Sequence, residues 1–495
     1  MNPFKKLAGQ TAIYGLPTIV GRLLNYLLVP LYTRVFIPAE YGVVTEIYAY
    51  VAFLFVVLTY GMETAYFRFS TNRSDKDNVY ATSLFSLLIS SILFIVIVCS
   101  ASRSISTAMG YANHIEYIKW FALILAADAI SSIPYAHLRL LNKPITFAIV
   151  KITNIVTNIG FNLIFIVVIP YLLKHYPSIS ESAFLKLIYN PEIGVGYIFI
   201  SNLIASVVTL IMLLPVMLKV KLKPDLSLLK TMLKYSWPLL IFGFAGIINE
   251  TFDRVILKYM LPANVNAMAQ LGIYGACYKV SILMTLFIQT YRYAAEPFFF
   301  DHSGSKNAKV TYARLMHYFI IVCLIIFLLI MLNLDTVLLF IGKEYREGAA
   351  VIPILLWANL FLGVFYNLSV WFKLTDKTGI GAMISVAGAT LTLILNFLLI
   401  PIMGYMGAAW ATFACYLFMM ILSWFLGQKY YAINYDLKSA GFYVALTMAI
   451  YSLSFLTNNL DHSFKYSLNF VLLVSFLLII YLKERKHLRR VNIKG

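Results

Sequence analysis

The sequence predicts an all-α polytopic membrane protein of about fourteen transmembrane helices. Hydrophobic residues make up 61% of its 495 positions and charged residues only 12%, roughly half the charge of a soluble domain. Apolar runs of about 18 residues or more recur from one end to the other, each long enough to cross roughly 30 Å of hydrocarbon. The longest polar stretches, 172–193 and 219–234, are too short to fold on their own.

In chain order the expected spans are 10–34, 41–66, 79–101, 115–138, 145–171, 194–218, 235–258, 269–297, 313–333, 349–372, 378–401, 405–427, 438–457 and 466–482. The first follows Lys5-Lys6 and continues past Arg22 without a small-residue cleavage site, so it reads as a retained helix rather than a signal peptide. An even number of spans places both termini on one side. Segments on that side hold 25 Lys and Arg, against 8 on the other. The positive-inside bias then makes the terminal side cytoplasmic.

The formal charge of +18 is explained by this topology, so no nucleic-acid partner is needed. The Lys/Arg-rich tail after Tyr481 reads as an anchor at anionic membrane lipids. Cys99, Cys277, Cys323 and Cys415 lie far apart inside apolar segments, which predicts neither a disulfide framework nor a metal site. No nucleophile elbow, phosphate-binding glycine loop or zinc-ligand cluster occurs, and the histidines do not cluster. The pattern points to transport rather than to an enzyme.

Two correspondences reveal an internal repeat. Asn142, Lys143 and Asn162 match Asp376, Lys377 and Asn396 at a constant offset of 234, followed by Pro170 and Pro401. Gly-containing entries, Gly194-Val195-Gly196 and Gly404-Tyr405-Met406-Gly407, then open the next helix in each half. At an offset of 224, Asn25 matches Asn249, Arg34 matches Lys258, and Pro38-Ala39 matches Pro262-Ala263. Ile47-Tyr48 matches Ile273-Tyr274 after a two-residue insertion. Each unit contains six helices, so the expectation is two six-helix lobes with the same orientation. A pseudo-two-fold along the membrane normal would relate them, with the substrate path between. The expected organisation is an N-terminal lobe 1–218, a cytoplasmic linker 219–234, a C-terminal lobe 235–427, and an accessory helix pair with a basic tail, 428–495.

Apart from those at the outermost one or two residues of a span, six cations fall within the spans: Arg22, Lys119, Lys151, Arg254, Lys279 and Arg292. Charges at membrane depth are costly and commonly functional. Arg22 stands between Pro17 and Pro30 with Asn25 one turn on, which suits an anionic ligand or a buried ion pair. Lys279 has no acid three or four residues away and is a candidate for a substrate anion; Arg292 lies further along the same helix, with Glu296 one turn on. The seventh helix carries Asn249, Glu250, Asp253 and Arg254, with Glu250 and Arg254 spaced to pair along it. Glu46 and Asp128 are candidates for ion coupling, because burial favours their neutral forms and permits proton exchange.

The stretch Arg22-Leu23-Leu24-Asn25-Tyr26, Tyr32-Thr33-Arg34-Val35-Phe36, Pro38-Ala39-Glu40-Tyr41-Gly42 and Thr64-Ala65-Tyr66-Phe67-Arg68-Phe69 resembles the opening of the polysaccharide-biosynthesis flippases. These belong to the multidrug/oligosaccharidyl-lipid/polysaccharide exporter superfamily. The resemblance implies an undecaprenyl-diphosphate-linked oligosaccharide as substrate, moved from the cytoplasmic to the periplasmic leaflet of the bacterial inner membrane. It also implies coupling to an ion gradient, H+ or Na+, and polysaccharide-assembly proteins as partners. Arg22, Asn25, Lys279 and Arg292 would line the cationic cavity. Rival readings are a multidrug exporter of the same superfamily and a membrane polysaccharide polymerase or ligase, although the external segments are short for the latter.

Arg22→Ala or Lys279→Ala is expected to impair glycan export while leaving the protein inserted. Normal surface polysaccharide in both variants would remove the cationic path.

Overall fold

The computed structural model describes residues 20–21, 23–72, 75–176, 182–221, 223–301, 303–456 and 461–492, which are helical apart from turns and contain no strand. The principal helices are α1 (Val29–Val35), α2 (Pro38–Thr71), α3 (Lys76–Ser100), α4 (Ile115–Leu140), α5 (Pro144–His175) and α6 (Gly196–Met217). They continue as α7 (Leu226–Met260), α8 (Ala267–Asp301), α9 (Ala308–Leu332), α10 (Val351–Leu368), α11 (Thr378–Met403), α12 (Tyr405–Tyr430), α13 (Leu437–Phe455) and α14 (His462–Asn492). Twelve helices among the described residues are long and apolar enough to cross a membrane. Beside these stand the 19-residue α13 and the short α1, a set compatible with about fourteen helices.

Several ends differ from the sequence estimate because local capping extends the helices. α7 starts at Leu226 rather than 235, since the Asp225 carboxylate accepts the Ser227 and Leu228 amides at 2.8 and 3.0 Å. α2 begins at Pro38, whose fixed φ suits a first helical turn, and the Glu40 carboxylate reaches back to the Ile37 amide at 3.2 Å. It breaks at Tyr60-Gly61, both in left-handed backbone conformation. In α5 a π-turn, Ile164–Val168, precedes Pro170, a common way for a helix to absorb an irregularity.

The chain divides into two compact units, Met1–Gly275 and Ala276–Gly495. In the first, Met62, Tyr66, Tyr80, Leu84, Ile133 and Met232 form a core joining α2, α3, α4 and α7. In the second, α12 packs against both α10 and α11. Trp371, the largest buried side chain of this unit among the described residues, donates its indole N–H to the Ser423 carbonyl of α12 at 3.1 Å.

The sequence repeat recurs as local geometry. Asn142 and Asp376 have φ of 54° and 55°. The amides of Lys143 and Lys377 reach back to the Leu138 and Phe372 carbonyls at 2.9 and 2.8 Å. This is the Schellman closure, in which a left-handed residue ends one helix and lets the next begin at once. Asn162 and Asn396 each donate their side-chain N–H to the carbonyl four residues earlier, both at 2.8 Å. Gly194 and Gly404 both take positive φ just ahead of α6 and α12.

Asn142→Val and Asp376→Val should each lower the thermal midpoint in detergent, since a left-handed β-branched residue costs about 1–2 kcal/mol. Glycine at either position should be tolerated. Wild-type midpoints for both valine variants would discount the turn as a constraint.

Candidate functional site

The strongest polar constellation in the first unit forms where α2 meets α7 and α8. Two glycines allow backbone contact: a Cβ on Gly42 would stand 2.1 Å from the Met268 carbonyl oxygen, and one on Gly272 only 1.9 Å from that of Pro38. Gly275 is similarly close to the Thr45 side chain. One turn along α2, Glu46 is fully buried and pairs with Lys258 of α7 at 3.1 Å. The Lys258 ammonium also donates to the Met109 carbonyl, and the Tyr111 hydroxyl donates to Glu46. Burial, and secondarily the Glu46 charge, holds the Tyr111 phenol well above its ordinary pKa, so it remains a donor. Tyr50 and Tyr259 meet alongside at 3.0 Å.

Helices from both sequence repeats are therefore tied together at the end that the charge bias assigns to the outside. Glu46, expected as an ion-coupling group, is here one half of a buried ion pair. Lys258, counted in the sequence among the outer-side charges, is the other half.

On α7, Asn249 and Asp253 are buried. The Tyr274 hydroxyl donates to Asp253 at 2.5 Å, and the Arg254 amide donates to the other carboxylate oxygen at 2.8 Å. Arg254 is half-buried and interacts electrostatically with Asp253. Glu250, the expected helical partner of Arg254, is exposed, and the buried Asp253 next to Arg254 is within its electrostatic reach.

Asp128 on α4 accepts from Ser206 of α6 at 2.8 Å and lies within electrostatic reach of Lys151, whose ammonium sits 4.2 Å from the Tyr135 ring centroid. Nearby, Asn154 donates to Thr209 at 2.9 Å and Asn202 donates to the Tyr48 hydroxyl at 2.9 Å. Asp128 thus belongs to a polar cluster inside the first unit.

Arg22 lies outside the described residues. Asn25 is exposed and accepts from Asn158 of α5 at 3.3 Å. Asn158 accepts in turn from Asn162 at 3.0 Å, and Asn162 accepts from Tyr32 at 2.8 Å. This amide ladder links the first helix to the fifth. The sequence marked Asn162 only as a repeat position.

In the second unit, Lys279 is half-buried on α8. Arg292 stacks its guanidinium 4.1 Å from the centroid of Tyr366 and borders a small pocket shared with Tyr291, Asn367, Ser369 and Lys373. There Tyr291 donates to Asn367 at 2.6 Å, and Asn367 donates to the Gly363 carbonyl at 3.0 Å. A stacked guanidinium keeps its edge N–H groups available to an anion.

This helical architecture is that of known lipid and drug transporters. A lipid II flippase MurJ in an inward closed conformation superposes with a TM-score of 0.71 at 13% identity, covering 96% of this chain and 99% of that one. An inward-facing multidrug resistance MATE family transporter of the MOP superfamily gives 0.65 at 15% identity, covering 85% and 97%. A MATE protein in complex with MaD3S gives 0.58 at 15% identity, covering 87% and 96%. A search of curated protein sequences finds no match. The family model described as polysaccharide biosynthesis protein matches residues 7–303, and the chain belongs to that family.

Removing one member of the buried pair should destabilise the protein by about 3–5 kcal/mol, since it strands a charge. Lys258→Met and Glu46→Gln are therefore each expected to lower the thermal midpoint. The double variant should lose less than the two single losses added together. Strict additivity would mean that the two groups do not act as a pair.

Proposed function

We propose that the protein is a flippase that carries an undecaprenyl-diphosphate-linked oligosaccharide, a surface-polysaccharide repeat unit, across the bacterial inner membrane by alternating access. Family membership supports the pathway, and the fold is one used by flippases and exporters. The observation that carries the mechanism is the junction of α2 with α7 and α8. It joins helices from the two repeats through backbone contact at glycines and an ion pair, beside the apolar packing of α2 on α7.

In this reading the lobes are 1–218 and 235–427, joined by the linker 219–234 and flanked by the accessory region 428–495. Both termini face the cytoplasm. The junction closes the periplasmic end while substrate enters from the cytoplasmic leaflet, and it parts to release the glycan. A lipid diphosphate needs cations while its headgroup leaves water, and Arg22, Lys279 and Arg292 supply them beside Asn25. The chain performs no covalent step. Asp128 and Asp253, each hydrogen-bonded by a neighbouring hydroxyl, are the groups assigned to coupling with H+ or Na+.

Deletion of the gene should leave the lipid-linked glycan on the cytoplasmic leaflet, detected by its inaccessibility to a periplasmic glycan-modifying probe. Accumulation of unpolymerised glycan in the periplasm would instead favour a polymerase. Gly272→Val, which drives a side chain into the Pro38 carbonyl, should insert normally yet reduce transport at least about tenfold, a change of roughly 1.4 kcal/mol. Wild-type export by that variant would remove the junction from the transport cycle.

A further inference from the structure

Only 11% of the apolar stretch of α14 is buried. Inside a bilayer, apolar contact with another helix gains little over contact with lipid tails. Polar and close-packed contacts therefore decide whether such a helix is docked.

α14 has polar contacts at both ends. Near its start, Lys465 lies 2.5 Å from Asp335, Thr336 donates to Tyr466 at 3.2 Å, and Asn469 donates to the Leu332 carbonyl at 2.6 Å. Near its other end, Glu484 is buried, with 8% exposure. Its Oε1 stands 3.1 Å from His317 Nε2 of α9 and accepts the Tyr443 hydroxyl of α13 at 2.8 Å. Its Oε2 is buried without a hydrogen-bond partner. The sequence shows no helical partner for His317 because the partner lies 167 positions away.

The two ends respond differently to pH. Lysine and aspartate keep their charges across the physiological range, whereas histidine changes charge within it. A carboxylate with one unsatisfied buried oxygen is costly, and an imidazolium opposite it offsets much of that cost. His317 also borders a cavity of about 430 Å³ walled by apolar side chains of α9, α10, α12 and α13, among them Trp357, Phe361 and Val444.

The other charged or titratable groups around the contact are few among the described residues. α9 carries Arg314 beside Tyr318, and Asp436 at the start of α13 acts electrostatically on Tyr443. α14 adds Lys483, whose ammonium lies over the Phe442 and Tyr443 rings, and Arg485 over Tyr481. The walls contributed by α10 and α12 carry no titratable side chain.

We propose that His317, Glu484 and Tyr443 form a proton-operated latch that docks the last helix pair onto α9. Protonated His317 balances Glu484, and the C-terminal end of α14 is held. When His317 gives up its proton, the buried carboxylate loses the cation held directly against it. That end of the helix is released, while Lys465 and Asp335 hold the other. Docking is therefore complete at low pH and lost at high pH.

The test places nitroxides at the exposed positions Val310 and Tyr481, through V310C and Y481C, with Cys99→Ala to remove the half-buried thiol. Electron–electron distances are measured for the full chain in lipid nanodiscs at about pH 5.5 and about pH 8.5, on either side of the usual histidine titration. The short-distance population should dominate at the lower pH, lose most of its weight at the higher, and recover on return. His317→Gln should abolish this dependence, and His317→Lys, which keeps a charge at both values, should stay docked. An unchanged distribution in the parent protein, or a pH shift that persists in either His317 variant, would overturn the latch.

Discussion

A helix bundle in a bilayer cannot rely on the hydrophobic effect to choose its neighbours, because lipid tails offer every apolar side chain an equivalent environment. Adhesion between helices then depends on close approach and polar contact, and the junction around Glu46 and Lys258 uses both. Gly42 and Gly272 remove the side chains that would hold the backbones of α2 and α8 apart. This approach sets the distance at which Glu46 meets Lys258 and Tyr111. Side chains at Gly42 and Gly272 would push these backbones apart and stretch the ion pair.

The repeat shows how one local solution serves two different surroundings. Asn142 and Asp376 perform the same turn with the same backbone, although one side chain is neutral and the other charged. Asn162 and Asn396 make the same bond along their own helices. Only Asn162 also receives Tyr32 from the first helix, through its carbonyl oxygen. Tyr48 and Tyr274 likewise keep polar partners while changing them, an amide in one case and a carboxylate in the other. The backbone plan is duplicated, and the polar interior has diverged.

This division explains what could be read from the sequence. Spans were readable because the bilayer imposes a minimum length of apolar chain on every crossing. The repeat was readable because Asn142, Lys143 and Asn162 share one offset with Asp376, Lys377 and Asn396. Polar partners were not, since each depends on which helix lies opposite. Lys258 looked like a boundary charge, yet it stands half-buried against the fully buried Glu46, while the buried acid acting on Arg254 is Asp253. Helical spacing reports which residues share a face, whereas the Asp253–Tyr274 and Asp128–Ser206 contacts join different helices. Arg22, the most conspicuous cation in the sequence, falls outside the described residues, so the proposed cationic path rests on chemistry rather than on its geometry.

A closure that takes part in a transport cycle must be strong enough to exclude solvent and weak enough to open. In the proposed cycle the junction meets both demands by its composition. Closed, it satisfies the Glu46 carboxylate with an ammonium and a hydroxyl, and its glycines leave little space for water. Opened toward an aqueous face, the carboxylate and the ammonium recover hydration, which repays much of the attraction lost between them. The glycines surrender little apolar area in either direction. An extended seal of large apolar side chains would expose its whole surface to water on opening, at about 25 cal/mol for each Å². In the proposed alternating-access cycle, closing this end partly through glycines and an ion pair limits the apolar surface exposed on opening and keeps the open and closed states closer in free energy.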